Sequence, residues 1–169
     1  AVAGRRMAET VSRRGGLVVL PQDIPLDVIN TVVNFVKSRH PIYETPITLS
    51  RTDTVGEALS LIHKRAHGVV IVTDELDHPL GIFTEADAAG YDRFTQLHNV
   101  MSTDLLCIKE GTDLEEIFHL LSGQRLTAAP VTNAEGRLIG CVTLRGALRS
   151  TLYRAALNTD GQFLTSVAI

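Results

Sequence analysis

Apolar and polar positions follow the same order in residues 46–90 and 105–149, and corresponding positions lie 59 residues apart (105 − 46 = 59). Each copy contains a helix-capping residue, Thr54 or Asp113, with a glutamate three residues later. Apolar residues at helical spacing follow each cap: Val55, Ala58, Leu59 and Ile62 in the first copy, and Leu114, Ile117, Phe118 and Leu121 in the second. This pattern predicts one amphipathic helix in each copy.

Two short strands separated by a polar turn are predicted after each of these helices. They cover residues 69–72 and 80–84 in the first copy, and 128–131 and 138–143 in the second. A last helix is expected to start near Glu85 and near Leu144, which gives the order β-α-β-β-α in each copy. Such an internal repeat predicts two units related by a pseudo-two-fold axis, with a groove between them.

The flanking segments predict part of a different fold. Their predicted elements are a helix with Met7, Ala8 and Val11, a buried strand over 17–20, a helix from Pro25, a turn at Asp160–Gly161 and an apolar strand over 163–169. Helix, strand and helix, then an interruption and a further strand, are typical of a parallel β/α barrel that carries an inserted module. We expect the chain to be a segment of a larger enzyme.

Composition excludes several classes of function. The chain has 169 residues, 44% of them hydrophobic, with a net charge of −3 and a pI near 6.1, so it lacks the basic footprint of a nucleic-acid-binding protein. No apolar run approaches the roughly 18 residues of a membrane span. We therefore predict no nucleic-acid or membrane partner and a cytoplasmic location. Cys107 and Cys141 are expected to be buried small residues on strands.

The end of the last strand in each copy carries a family resemblance. Gly81-Ile82-Phe83-Thr84 and Gly140-Cys141-Val142-Thr143, within residues 46–150, resemble a tandem pair of cystathionine-β-synthase (CBS) domains, known as a Bateman module. In that family a Thr/Ser-x-x-Asp motif binds a nucleotide, the Asp through ribose hydroxyls and the Thr/Ser near phosphate. The resemblance implies these roles for Thr84 and Asp87.

The second copy departs from this motif, because Gly146 stands where the Asp is expected. Its site is therefore empty, altered or specific for another ligand. The resemblance implies that Arg145 contacts phosphate, and the alternative is a solvated arginine in a first helical turn. The predicted nucleotide-binding residues are Thr48, Val69, Val70, Thr84, Asp87, Thr127, Ala128, Pro130, Thr143 and Arg145.

The flanks resemble the barrel segments on either side of the Bateman insertion in IMP dehydrogenases and GMP reductases. The similarity lies in residues 6–20, 32–37 and 158–169. Residues 21–25 depart from the His-Lys-Asn type of stretch usual in the dehydrogenases, which favours a GMP reductase-like branch. The expected fold is α/β, with two CBS units inserted into a (β/α)8 barrel of which only part is present. The expected boundaries are 1–45 and 151–169 for the partial barrel, 46–103 for the first CBS repeat and 104–150 for the second.

The resemblance implies a regulatory module that binds ATP or GTP with Mg²⁺ and tunes the parent oxidoreductase of purine nucleotide metabolism. The family's cysteine nucleophile lies on a barrel loop downstream of the insertion, so no catalytic residue is predicted here, and NAD(P) would bind only the remainder of the parent. Self-association through the CBS units is expected, in a tetrameric or octameric parent. The alternatives are a structural dimerisation module without a ligand, and a free-standing CBS protein that binds S-adenosylmethionine or AMP.

Three further features are predicted to have structural roles only. His63 and His67 are four residues apart as in some metal sites, but no third ligand lies nearby in sequence, so we predict a cationic helix end and no metal. Residues 74–77 are expected to form a solvated turn. Four glutamates are expected only on helix surfaces or at caps, without an acid–base role: Glu9, Glu57, Glu115 and Glu116.

Overall fold

The structure is a computed structural model that describes residues 4–168. In chain order its elements are α1 (Arg5–Arg13), β1 (Val19–Leu20), α2 (Leu26–Lys37), β2 (Thr48–Ser50), α3 (Val55–Ile62), β3 (Val69–Thr73), β4 (Pro79–Thr84), β5 (Ile108–Lys109), α4 (Leu114–Gly123), β6 (Ala128–Thr132), β7 (Leu138–Thr143), α5 (Leu144–Leu152) and β8 (Ser166–Val167). Short 3-10 helices cover Glu85–Ala88 and Leu97–Asn99.

The chain divides into two compact units. The repeat unit comprises residues 43–145, and the flanking unit comprises the described parts of 1–42 and 146–169. No helix among residues 4–168 has the length and apolar character needed to cross a membrane.

Within the repeat unit, the two copies build the same three-stranded sheet. The orders are β2-β3-β4 and β5-β6-β7, each with a parallel pair followed by an antiparallel pair. The registers correspond, because Val69 pairs with Thr84 in the first sheet and Ala128 pairs with Thr143 in the second. The predicted pair of equivalent α/β units is therefore confirmed.

Side chains of β3 alternate between two cores, as expected for a strand buried on both faces. Val70 and Val72 pack in the core beneath α3 with Phe83. Val69 and Ile71 lie in a second cluster, together with Ala128 and Cys141 of the other repeat. This second cluster joins the two sheets.

The caps and last helices of the copies differ more than the sequence pattern indicates. Thr54 and Glu57 form the predicted capping box. Asp113 instead accepts a hydrogen bond from the amide of Glu115, at 2.9 Å, so the equivalent box with Glu116 is not formed.

The first copy closes with only the four-residue 3-10 helix, because the backbone becomes extended at Ala89 and Gly90 has a φ of 84°. The second copy closes with α5.

The flanking unit contains a parallel pair of short strands, with Val19 opposite Ser166 and Leu20 opposite Val167. The described residues contain no closed barrel. Strand β1 is shorter than the predicted strand over 17–20. This segment is buried only at alternate positions, since Leu17 and Val19 are more than half exposed. The predicted strand over 163–169 is reduced to β8, and its last position lies outside the described residues.

Glu9 corrects a second prediction in this unit. It is fully buried rather than on a helix surface, and its carboxylate accepts a 3.0 Å hydrogen bond from the guanidinium of Arg13. Arg13 also donates to the carbonyl of His40, at 3.0 Å, and lies over the ring of Phe163. A buried carboxylate is tolerated here because a charged partner accompanies it.

The predictions for a cysteine and a histidine also need correction. Cys107 is exposed and lies one residue before β5, not on a strand, whereas Cys141 is buried on β7 as predicted. Helix α3 ends at Ile62, so His67 is not on a helix. His67 is buried, and its Nε2 lies 3.2 Å from the carbonyl oxygen of Thr45. Within residues 4–168, no three His, Cys, Asp or Glu side chains are grouped as a metal site would need.

Candidate functional site

A cavity lies between the two repeats, and we call it the first cleft. It has a volume of about 80 Å³. It lies beside the end of β4 and is bounded by the linker at 104–106 and the start of β6. Its lining residues are Val69, Ile82, Thr84, Asp104, Leu105, Leu106, Leu126, Thr127, Ala128 and Pro130. The walls are thus mostly apolar, with hydroxyl and carboxyl groups at a few positions, as in small-molecule sites.

Thr84 lines the first cleft and is hydrogen-bonded to Asp87, which is not itself a lining residue. One oxygen of the Asp87 carboxylate, Oδ2, accepts hydrogen bonds from the Thr84 backbone N–H at 2.7 Å and from its hydroxyl at 2.8 Å. The other oxygen, Oδ1, has no hydrogen-bond partner among residues 4–168. The local fold therefore fixes the carboxylate through one of its two oxygens.

The position equivalent to Thr84 in the second repeat has a different carboxylate beside it. Thr143 occupies the position of Thr84, and its hydroxyl donates to Glu44 Oε1 over 3.4 Å. Glu44 is held against β7 by two backbone hydrogen bonds with Cys141, of 2.7 and 2.9 Å. Complete burial raises the pKa of the Cys141 thiol, and the nearby Glu44 carboxylate raises it further.

The structure brings five predicted site residues together around the first cleft: Val69, Thr84, Thr127, Ala128 and Pro130. Asp87 joins them through Thr84. Val70 faces the core beneath α3 and does not line the cleft, because successive strand residues point in opposite directions. Arg145 is exposed in the first turn of α5, and Thr143 lies beside Glu44, away from the residues that line the first cleft.

Thr48 lies at a separate pocket on the first repeat. This open pocket, of about 790 Å³, is bounded by residues 48–53, 73–76 and Leu80. Two of its carboxylates are engaged locally, since Asp53 accepts from the Ser50 amide and Asp74 accepts from the amides of Leu76 and His78. The His78 amide is the main reason that the pKa of Asp74 lies below its usual value. The larger space is therefore an open surface hollow in which Asp53 and Asp74 already have partners.

Sequence reasoning missed several residues at the first cleft and beside Thr143. The linker residues Asp104, Leu105 and Leu106 precede β5 and match no motif. The only signal they offer in the sequence is their position at the boundary between the repeats. Glu44 lies 99 residues from Thr143, and no spacing rule connects the two.

The chain matches the model of the CBS domain twice, over residues 40–93 and 97–152. A GMP reductase of Mycobacterium tuberculosis (strain ATCC 25618 / H37Rv) is 44% identical over 169 residues, which cover 100% of this chain and 35% of the relative. An inosine-5'-monophosphate dehydrogenase of Methanocaldococcus jannaschii is 31% identical over 99% of this chain and 34% of that protein. The chain thus spans about a third of the length of these curated relatives.

Solved structures show the same fold. A GMP reductase from Trypanosoma brucei, in complex with guanosine 5'-triphosphate, superposes with a TM-score of 0.74 at 23% identity, over 99% of this chain and 42% of that one. The cytosolic domain of the Mg²⁺ channel MgtE, in complex with ATP, has a TM-score of 0.56 at 26% identity, over 61% of this chain and 44% of that one. The chain belongs to the CBS domain family as a tandem pair, and it is homologous to the CBS-containing segment of GMP reductases and IMP dehydrogenases.

Proposed function

We propose that the repeat unit is a regulatory module that binds a purine nucleotide in the first cleft, within a parent protein of the GMP reductase branch. The observation that carries this proposal is the fixed Asp87 carboxylate with one oxygen available. A carboxylate can accept hydrogen bonds from the two hydroxyls of a ribose. Ala128, Pro130 and Val69 offer apolar surface against which a base can stack.

The complexes of structural relatives support a nucleotide as the ligand. The trypanosomal GMP reductase was solved with guanosine 5'-triphosphate and the MgtE domain with ATP. Asp104 adds negative charge at the first cleft, so a triphosphate is expected to bind with Mg²⁺, which reduces the repulsion. ATP is the first choice of ligand and GTP the second. The 44% identity to a GMP reductase, against 31% to a dehydrogenase, favours the reductase branch.

The size of the first cleft suggests how binding could regulate a parent enzyme. A volume of about 80 Å³ lies well below the roughly 300–1,000 Å³ of ligand pockets. A nucleotide must therefore displace part of the wall. Residues 104–106 have no regular secondary structure and are the least constrained part of that wall. A ligand that favours the widened arrangement shifts the population of the module toward it, which is what allosteric coupling requires.

Calorimetric titration tests the proposal with ATP–Mg²⁺ and GTP–Mg²⁺ on the wild type, Asp87→Asn and Asp23→Asn. The Asn side chain retains an acceptor for Thr84 but lacks the charge, so we expect affinity to fall at least about tenfold. Asp23 is exposed in the flanking unit and serves as the charge-matched control. Equal affinity in the wild type and Asp87→Asn would contradict the proposal.

The second candidate function is a structural dimerisation module without a ligand. Leu148 and Leu152 favour it, since they lie four residues apart on α5 and are both exposed apolar side chains. Light scattering with and without nucleotide separates the two functions. A dimer that forms through α5 and no heat with any purine nucleotide would support the structural role, and Leu152→Asp should then give a monomer.

A further inference from the structure

The polar turn between the two antiparallel strands is built in the same way in both repeats. We call residues 74–78 the first turn and residues 133–137 the second turn. Asp74 and Asn133 open them at equivalent positions, 59 residues apart (133 − 74 = 59). Each accepts with Oδ1 from the amides two and four residues later, at 2.9 and 2.8 Å in the first turn and at 3.1 and 2.9 Å in the second. The two turns thus share these backbone contacts and differ in their side chains.

The two turns are in contact within the repeat unit. The amide of Leu138 donates to the carbonyl of Asp77 at 2.8 Å. A Cβ placed on Gly136 would lie 3.5 Å from Cδ2 of His78, so the His78 ring lies against the second turn. The first turn follows the end of β3, whereas Val69 at the start of β3 lines the first cleft. The contact therefore joins the repeats at the other end of β3 from the cleft.

Both nitrogens of the His78 ring face hydrogen-bond acceptors. Nδ1 lies 3.0 Å from Oδ2 of Asp74 in the first turn, and Nε2 lies 3.3 Å from the carbonyl oxygen of Glu135 in the second. The His78 amide, above all, holds the pKa of Asp74 below its usual value, so this carboxylate is ionised and only accepts hydrogen bonds. A backbone carbonyl likewise only accepts. The ring therefore needs a proton on each nitrogen to make both hydrogen bonds.

The charge of the His78 ring decides how many of these bonds are made. Only the protonated imidazole carries two N–H groups. In the neutral form one nitrogen turns a lone pair toward an oxygen, so the bond to Asp74 or the bond to Glu135 is lost. The His78 side chain is 36% exposed, so protons reach it from solvent. Histidine side chains ordinarily change charge between pH 5 and 8. A change of pH in this range thus changes the bonding between the turns.

Asp74 is the charged group that accompanies the His78 ring, and the two form an ion pair when the ring is protonated. Four other charged side chains belong to the two turns: Glu75, Asp77, Glu135 and Arg137. None of them forms an ion pair with His78 within residues 4–168. In the second turn, Asn133 and Arg137 stand at the positions of Asp74 and His78, and neither changes charge near neutral pH. The response to pH therefore belongs to the first turn.

We propose that His78 is a proton-sensitive latch between the two repeats. The protonated ring ties the first turn to the carbonyl of Glu135, and the neutral ring releases one of its two hydrogen bonds. Because the closed contact holds the protonated ring more firmly than the open one does, its stabilisation is present at mildly acidic pH and is lost as the pH rises. The latch needs no bound nucleotide, so it is independent of the proposed function.

Amide hydrogen exchange on the full chain, without nucleotide, tests this inference. The reporter is the N–H of Leu138, whose hydrogen bond to Asp77 must open before the proton exchanges. Its protection factor is compared at about pH 5.5 and about pH 7.5 in the wild type, His78→Gln, His78→Asn and His119→Gln. Gln and Asn each retain an N–H donor but do not titrate. His119 is exposed on α4, so its replacement is the matched control.

The wild type and the variants should respond differently to pH. We expect the protection factor of Leu138 in the wild type to fall at least about fivefold from the lower to the higher pH, since a hydrogen bond of a charged group is lost. It should change less than about twofold in both His78 variants and follow the wild type in His119→Gln. Melting temperatures at the higher pH show that the variants are folded. A wild-type protection factor that is independent of pH, or a His78 variant that keeps the wild-type response, would overturn the inference.

Discussion

The hydroxyl of Thr84 and its backbone N–H both donate to the same carboxylate oxygen of Asp87, at 2.8 and 2.7 Å. This arrangement closes the first repeat with a short 3-10 turn and ties the acid to Thr84, which lines the first cleft. A group that is already fixed loses little conformational freedom when a ligand binds. The contacts that shape the local fold thus also fix the carboxylate that we propose as a ligand group.

The two repeats should respond differently to a methyl group at equivalent glycines. A Cβ at Gly140 would lie 2.6 Å from the Cβ of Tyr43, a rigid and buried neighbour, whereas a Cβ at Gly81 would meet mainly the flexible thioether of Met101. We expect Gly140→Ala to lower the free energy of unfolding by about 1–3 kcal/mol and Gly81→Ala by less. Urea denaturation measures both. A larger loss for Gly81→Ala would contradict the packing described.

The Glu9–Arg13 pair should show strong coupling. Because Glu9 is fully buried, Arg13→Leu removes a 3.0 Å ion-pair contact from a buried carboxylate, and we expect a cost of about 3–5 kcal/mol. In the double variant Glu9→Leu, Arg13→Leu the buried charge is gone, so we expect a smaller loss than the sum of the single variants. Chemical denaturation of the three variants gives the coupling free energy. Additive losses would argue against a direct interaction.

Acid should weaken the cap of α3. The Thr54 backbone N–H, and then its hydroxyl, hold the pKa of Glu57 below its usual value of 4.5. Because the pKa of Glu57 is lower in the folded chain than in the unfolded chain, its ionised carboxylate stabilises the fold at pH values above the unfolded-state pKa. This stabilisation is lost as the pH falls below about 4.5 toward the folded-state pKa. Glu57→Gln keeps the shape of the cap but does not titrate. We expect its melting temperature to fall less steeply than that of the wild type below this pH, with Glu135→Gln as control. Parallel curves for Glu57→Gln and wild type would exclude this contribution.

The two cysteines should differ in reactivity. Cys107 is exposed, although partial burial raises the pKa of its thiol, whereas Cys141 is fully buried and the pKa of its thiol is raised far more strongly. The thiolate is the reactive form, so we expect a thiol reagent to modify one cysteine in the native chain and both after denaturation. Cys107→Ser should abolish the native reaction. Modification of Cys141 before unfolding would indicate that the cluster joining the sheets opens readily.

Much of the fold is encoded locally and could be read from the sequence. The strands of both repeats and the Thr54–Glu57 cap lie within a residue or so of their predicted positions, because the apolar runs and capping residues act over short distances. The prediction of a full closing helix in the first copy is wrong. The motif that starts at Thr84 resembles the one at Thr143, but the chain breaks at Gly90, just after the motif, and this break lies outside the pattern that the two copies share.

The site was harder to predict, for two physical reasons. Val70 is among the predicted nucleotide-binding residues, but a shift of one residue along a strand reverses the side chain, and only the register places Val69 on the cleft side. Glu44 meets Thr143 through tertiary structure alone, across 99 residues of chain. Motif resemblance provides Thr84 and Asp87, whereas the linker that completes the first cleft has no recurring pattern.

The most direct test of the account is to map the nucleotide on the ¹⁵N-labelled chain by amide chemical shifts during titration with ATP–Mg²⁺ and GTP–Mg²⁺. We expect saturable shifts concentrated at residues 82–87, 104–106 and 126–130, which surround the first cleft. Shifts confined to residues 48–53 and 73–76, at the larger surface pocket, or no saturable shifts at all, would contradict nucleotide binding between the repeats.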